Sequence, residues 1–186
     1  MRVSREQAAE NRERIVDAAA RLFRDKGFDG VGVDAIMKDA GLTHGGFYGH
    51  FASKEALAAE AVTCALGRSA VRLTGVASLG ELVSDYLSDR HRADRANGCA
   101  VAALGADYGR QGPAIRKTLT ASVRRQIDHL ASLLKRGGPA ARRRRALASY
   151  AGMVGALTLA RAVDDLALAQ EILAAAREVF GKESSS

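Results

Sequence analysis

Three glycines, Gly45, Gly46 and Gly49, fall within a stretch that otherwise reads as a short helix over residues 44–51. An interior glycine weakens a helix by about 1 kcal/mol, so three of them work against stability. Close approach explains them: a backbone without Cβ atoms can lie against another molecule. Around them stand Thr43, His44, Tyr48, His50 and Lys54. These side chains suit phosphate oxygens and base edges rather than acid–base catalysis. The other reactive group is Cys99, which follows Asn97-Gly98 and opens a helix close to Arg90, Arg92 and Arg95. A helix N-terminus favours the thiolate, so one reading is a sensor of oxidants or electrophiles. A remoter one is a hydrolase pairing Cys99 with His91 or His129, although no pattern supplies the oxyanion hole such an enzyme needs. A buried, inert thiol is the plain alternative. Cys64 has no pattern around it. The two cysteines form no Cys-x-x-Cys pair, and with His44, His50, His91 and His129 scattered they make no zinc ligand set. No metal, no cofactor and no enzyme are expected.

The elements that position these residues follow from periodicity. Ser4 and Gln7 form a capping box. After it, Ile15, Ala19, Leu22, Phe23 and Lys26 recur at helical steps until Gly27 stops the helix. Val33, Ile36, Met37 and Ala40 make one face of a second, short helix. Gly41-Leu42 turns the chain, Thr43 is placed to cap the third helix, and Ser53 caps a fourth that runs to about residue 73. Phe47 and Phe51 are expected to hold the third helix to the core. Two short helices joined by a glycine turn, behind a longer packing helix, make a helix-turn-helix.

Beyond it the chain stays helical, in segments at 79–87, 99–108, from Gly112-Pro113 to about Leu134, 139–163 and 164–180. Residues 89–98 read as a charged loop, and 183–186 as a frayed polar tail. The expectation is an all-α protein of about nine helices: a DNA-binding unit at 1–53 and a helical body at 54–186. Composition agrees. The 186 residues are 47% hydrophobic and only 5% aromatic, with no Trp and two Pro, which disfavours an all-β fold. Residues 1–14 are charged and resemble no signal peptide, and the longest apolar run, 151–160, is far short of a membrane span. A soluble, cytoplasmic protein with no membrane partner is expected. The net charge of +7 suits a polyanionic partner. It is uneven: residues 1–54 carry nine basic and eight acidic side chains, the rest nineteen and thirteen.

Gly27-Phe28, Val33-Asp34-Ala35-Ile36, the run from Ala40 to Phe51 and Ser53-Lys54-Glu55-Ala56-Leu57 together resemble the TetR family of transcriptional regulators. The spacing Tyr-x-His-Phe-x-Ser-Lys-Glu, Tyr48 to Glu55, is the most specific part. The likeness covers about the first third of the chain. It implies that Thr43, His44, Gly45 and Gly46 meet bases and nearby phosphates at the start of the recognition helix. It also implies that Tyr48 and His50 touch the DNA backbone, and that Lys54 meets a phosphate at a helix N-terminus, a natural anion site. Two residues depart from the family pattern. Gly32 stands where a capping Ser or Thr is usual, and Met37 where a small alanine is usual.

The same resemblance implies a homodimer that sets two recognition helices about 34–36 Å apart on a palindromic operator. Ala151, Gly152, Gly155, Leu159, Ile172 and Ala176 are the candidates for the dimer face, because small residues at helical steps admit a neighbouring helix. Tyr86, Cys99, Leu104, Tyr108, Leu119, Val123, Ile127, Leu130 and Met153 are candidates to line a pocket for a small apolar or aromatic effector. The expected activity is a repressor released from DNA by that effector. Arg142 to Arg145 place four cations at a helix start, against its dipole, and call for an anionic neighbour.

Overall fold

The computed structural model describes residues 4–182, the side chains of residues 72–74 excepted. The tail expected at 183–186 lies outside the described residues. Nine α-helices and one 3-10 helix make up the regular structure among them, with no strand. Helix α1 (Arg5–Lys26) starts where Ser4 Oγ accepts the Gln7 N–H, and it stops at Gly27. Helix α2 (Val33–Asp39) has Gly32 as its N-cap, so no side chain serves its first N–H groups. Gly41 follows with φ 68°, and a Cβ there would meet Arg14 Nη2 at 2.7 Å. Arg14 itself donates to Ala40 O, so glycine satisfies both the left-handed backbone and the close brace.

The expected third helix is a 3-10 turn, His44–Gly49. Thr43 sits at its N-cap position in extended geometry but makes no side-chain cap, contrary to the capping expected of it. Short length and three glycines favour the tighter 3-10 form over an α-helix. Helix α3 (Lys54–Thr74) is capped by Ser53, whose Oγ accepts from Ala56 N–H.

The body comprises α4 (Leu79–Tyr86), α5 (Asp89–Ala93), α6 (Ala100–Tyr108), α7 (Pro113–Leu133), α8 (Pro139–Ala162) and α9 (Leu166–Gly181). The loop expected at 89–98 is corrected by α5. Ser88 Oγ caps it by accepting from His91 N–H, and the buried His91 ring anchors it, a signal that its dense charge hides. Asp165 caps α9 by accepting from two backbone N–H groups. The anionic neighbour sought for the arginine run is Asp128 of α7, 2.5 Å from Arg143.

Two apolar cores hold these elements. The first joins α1, α2 and the 3-10 turn to Leu57 and Leu66 of α3, and also to Leu104 and Tyr108 of α6. The second lies among α4, α6, α7, α8 and α9, around Leu82, Leu130, Met153, Leu157 and Leu173. Gly152, on the stripe of small residues in α8, is accounted for inside the chain: the Phe180 ring occupies the place its Cβ would take, 2.1 Å away.

Between the cores the backbone turn after α5 closes around a buried arginine. Arg161 Nη2 donates to His91 O at 2.6 Å and its Nε to Arg92 O at 3.2 Å. A Cβ on Gly98 would stand 2.7 Å from both Arg161 Nη2 and Asp94 O. Gly98→Ala is therefore expected to lower stability by about 1–3 kcal/mol in urea unfolding, as overpacking does.

Arg12 and Glu60 tie α1 to α3 with paired hydrogen bonds of 2.5 Å, and Arg12 lies 4.4 Å over the Phe51 ring. The Arg12 hydrogen bond pulls the Glu60 carboxyl below its ordinary range. Because the unfolded chain takes up that proton first, this contribution is present above the ordinary carboxylate range and lost as pH falls through the depressed value. Both side chains are part-exposed, so the effect is small, below about 1 kcal/mol. Glu60→Gln is expected to lower stability at neutral pH by up to about 1 kcal/mol and to leave it unchanged below the depressed carboxylate range, so that the acid side of the stability–pH curve flattens.

Candidate nucleic-acid interface

The 3-10 turn is fastened by its aromatic residues. Phe47 is fully buried and Phe51 nearly so, their rings stacked with centroids 5.9 Å apart. Phe47 also meets Tyr48 edge-on, yet Tyr48 remains 71% exposed. The turn thus presents Thr43, His44, Gly45, Gly46, Tyr48 and Gly49 on one open surface, with His50 half-buried beside them. His44 Nδ1 is drawn to Asp34 in the first turn of α2, a link that ties the two elements of the helix-turn-helix together.

The glycines decide what this surface can do. A Cβ on Gly45 or Gly49 would meet nothing within 4 Å, and one on Gly46 would make ordinary contact with the Met37 methyl at 3.7 Å. None of the three has positive φ. Neither backbone conformation nor internal packing therefore requires glycine at these positions. Met37 itself is buried, and its methyl is the floor beneath Gly46.

Lys54 is already engaged within the chain. Its Nζ donates to Phe28 O at 2.8 Å, joining the start of α3 to the turn after α1. The first turn of α3 has its N-cap served by Ser53, and the Glu55 carboxyl is held below its ordinary range, first by a backbone hydrogen bond. This lysine thus stands at a helix N-terminus and positions the loop behind the recognition turn.

The effector candidates divide between the cores. Tyr86, Cys99, Ile127, Leu130 and Met153 lie in the second, Leu104 and Tyr108 in the first, with Leu119 and Val123 half-buried at their margins. Cys99 joins them, since the hydroxyls of Tyr86, Tyr108 and Tyr150 all interact with it electrostatically. The hydroxyls of Tyr108 and Tyr150 are buried without a hydrogen-bond partner, that of Tyr86 is within hydrogen-bonding reach of Cys99, and desolvation raises the pKa of each. Tyr150 escaped the sequence reading, as did Gln126, whose Oε1 is equally unpartnered. Cys99 is 4% exposed, and its backbone N–H donates to His91 Nε2 at 2.9 Å, while His91 Nδ1 lies 2.6 Å from Tyr86 O. The imidazole holds backbone at both nitrogens.

Of the dimer candidates, Ala151 and Leu159 are exposed, Gly155 and Ile172 half-buried. Gly152 packs on Phe180 and Ala176 belongs to the second core, so these two serve the chain's own interior. Arg24 and Arg161 are buried functional candidates that periodicity did not flag. The available signal was a lone cation on an apolar stripe, as where Arg161 follows Met153, Leu157 and Ala160.

Residues 15–61 match the family of bacterial regulatory proteins, tetR family. The likeness to the TetR family is thus carried by residues 15–61. The chain is 37% identical over 67 residues to the uncharacterized HTH-type transcriptional regulator YerO of Bacillus subtilis, covering 36% of this chain and 23% of that protein. It is 46% identical over 54 residues to the HTH-type transcriptional regulator LmrA of the same organism, covering 28% of this chain and 29% of LmrA. The match thus spans less than a third of either relative's own length. The fold extends the likeness. A solved TetR transcriptional regulator from Chloroflexus aurantiacus superposes with a TM-score of 0.73 at 27% identity, over 95% of this chain and 94% of that one. The family match therefore lies in the helix-turn-helix, while over the whole chain the likeness is one of fold.

Two substitutions separate anchor from surface. Phe47→Ala is expected to cost about 3–5 kcal/mol in chemical unfolding, as large-to-small changes of buried aromatics do. Tyr48→Ala, at an exposed position, is expected to stay within about 0.5 kcal/mol.

Proposed function

We propose that this TetR-family chain is a ligand-responsive, sequence-specific DNA-binding transcriptional regulator, a homodimeric repressor released from a palindromic operator by a small effector. The observation that carries the reading is the set of exposed glycines at 45, 46 and 49, which nothing inside the chain requires. A helix-turn-helix that keeps its recognition element bare in this way suits close approach to a major groove. Thr43, His44, Gly45 and Gly46 would face bases and nearby phosphates; Tyr48, His50 and Lys54 would bear on the backbone. With few long side chains on offer, backbone placement and DNA shape carry much of the specificity. Residues 1–53 then form the reading unit and 54–186 the body, acting in the cytoplasm where the operator lies.

Exposed apolar side chains support the dimer. Leu147 and Leu159 on α8, and Leu166, Leu168 and Val179 on α9, are all exposed. Ala151 and Gly155 continue the α8 stripe between the two leucines at four-residue steps. Two such helix pairs meeting across a twofold axis would bury this face. The effector reading is supported by the buried, unpartnered hydroxyls of Tyr108 and Tyr150. They favour a molecule that brings hydrogen-bonding groups into an otherwise apolar body. The burial of Cys99 and the backbone bonds of His91 favour this over a thiol switch or a hydrolase. Coupling between effector and DNA in such proteins typically amounts to 1–3 kcal/mol, or about 5–150-fold in affinity.

Selection from a randomised duplex pool at physiological salt is expected to enrich a palindrome. Gly45→Leu is then expected to weaken binding to that palindrome by more than 10-fold without lowering the unfolding midpoint. Failure to enrich any site, or full affinity in the leucine variant, would overturn the reading.

A further inference from the structure

Where the end of α1 meets α6 and α8, a concavity of about 370 Å³ opens between the helix-turn-helix and the body. Arg24, Lys26, Arg95 and Arg161 line it, against the carboxylates of Asp25 and Asp107. Asp107 is shared with Arg110, 3.5 Å away. Thr158 and the small residues Ala102, Ala103 and Ala162 complete the wall.

Two of the four cations are buried, Arg24 at 3% and Arg161 at 9% exposure. Both bind backbone carbonyls only. Arg24 Nε donates to Ala96 O at 2.6 Å, and Arg161 uses Nε and Nη2 on Arg92 O and His91 O. Nη1 of each is buried without a partner. Neither guanidinium is in an ion pair among the described residues; Asp94 acts on both only through its field. Burial lowers the pKa of both, with desolvation the first cause. A buried charge held by carbonyl dipoles alone is costly, typically several kcal/mol, until a counter-charge reaches it. Gly98 lets the turn close on Arg161, so this arginine is positioned by the fold rather than displayed by chance.

We propose that this concavity binds a small anion carrying a carboxylate or phosphate group, held by Arg24 and Arg161 with Lys26 and Arg95 at the rim. Guanidinium groups match either oxyanion through paired N–H donors. The volume admits a small metabolite and is separate from the tyrosine cluster around Cys99. The occupant would touch α1, which carries the recognition turn, and α8 of the body together. Its influence on DNA affinity rests on the proposed regulator function; its binding does not.

Isothermal titration of the full chain with inorganic phosphate, and separately with succinate, tests the site at constant ionic strength set with sodium chloride. Saturable binding of one anion per chain is expected from at least one of the two, and which one saturates distinguishes a phosphate-bearing from a carboxylate ligand. Lys26→Gln, at an exposed position, is expected to weaken that binding about 3-fold, and Asp107→Asn to tighten it about 3-fold. Arg161→Gln is expected to weaken it more than 10-fold. Absence of saturable binding with both anions, or unchanged affinity in the folded Lys26 and Asp107 variants, overturns the proposal. Anisotropy with a selected duplex separates the two readings. Intact DNA binding without anion binding removes this site alone, and intact anion binding without DNA binding removes the regulator function alone.

Discussion

Helix α1 is packed from two sides at once, and this double burial is what joins recognition to the rest of the molecule. On one side Ile15 and Phe23 share a core with Ile36, Met37 and Phe47. Towards the body, Phe23 meets Phe28 at 5.1 Å between ring centroids, and Phe28 meets Tyr108 of α6 edge-on at 6.0 Å. Arg24 adds a hydrogen bond to Ala96 O in the turn before α6. Close-packed side chains of this kind do not deform continuously. Helix α6, α1 and the recognition turn are thus parts of one close-packed core.

The recognition turn pays for its openness elsewhere in the structure. Three glycines and a 3-10 geometry leave little intrinsic stability, and Thr43 supplies no cap. Compensation comes from Phe47 and Phe51, from the His44–Asp34 link and from Gly41 folded tightly over Arg14. The loop behind it is held by Lys54 on Phe28 O. Rigidity is thus provided underneath, by side chains, so that the outer surface can stay bare. This division suits an interface whose affinity depends on backbone placement.

Polar groups inside the body follow a different logic. His91, Arg161 and Ser69 satisfy backbone around the α5–α6 turn, Ser69 Oγ accepting from Ala100 N–H at 3.2 Å. They fix a segment too short and too charged to hold its shape alone. The hydroxyls of Tyr108 and Tyr150 and the Nη1 atoms of Arg24 and Arg161 lack such partners. Unsatisfied buried polar atoms are uncommon in stable folds, which sets these two places apart from the rest of the interior.

Much of this architecture was legible in the residues themselves. Periodic apolar positions, Ser and Asp caps, and the Gly-Pro pairs at 112–113 and 138–139 mark the helices because these are local effects, acting within one or two turns. The recognition glycines were legible for the same reason: their cost is local and demands an external explanation. Tertiary structure alone decided what depends on residues far apart in the chain. It made residues 89–93 a helix by burying His91, and assigned Gly152 and Ala176 to the chain's own interior. It gave Lys54 a carbonyl partner 26 residues away. It also brought Arg24 and Arg161 to one concavity across 137 positions of sequence. Periodicity reports which face of a helix is apolar, but not which distant helix will cover that face. Only packing settles which buried charge is left without a partner.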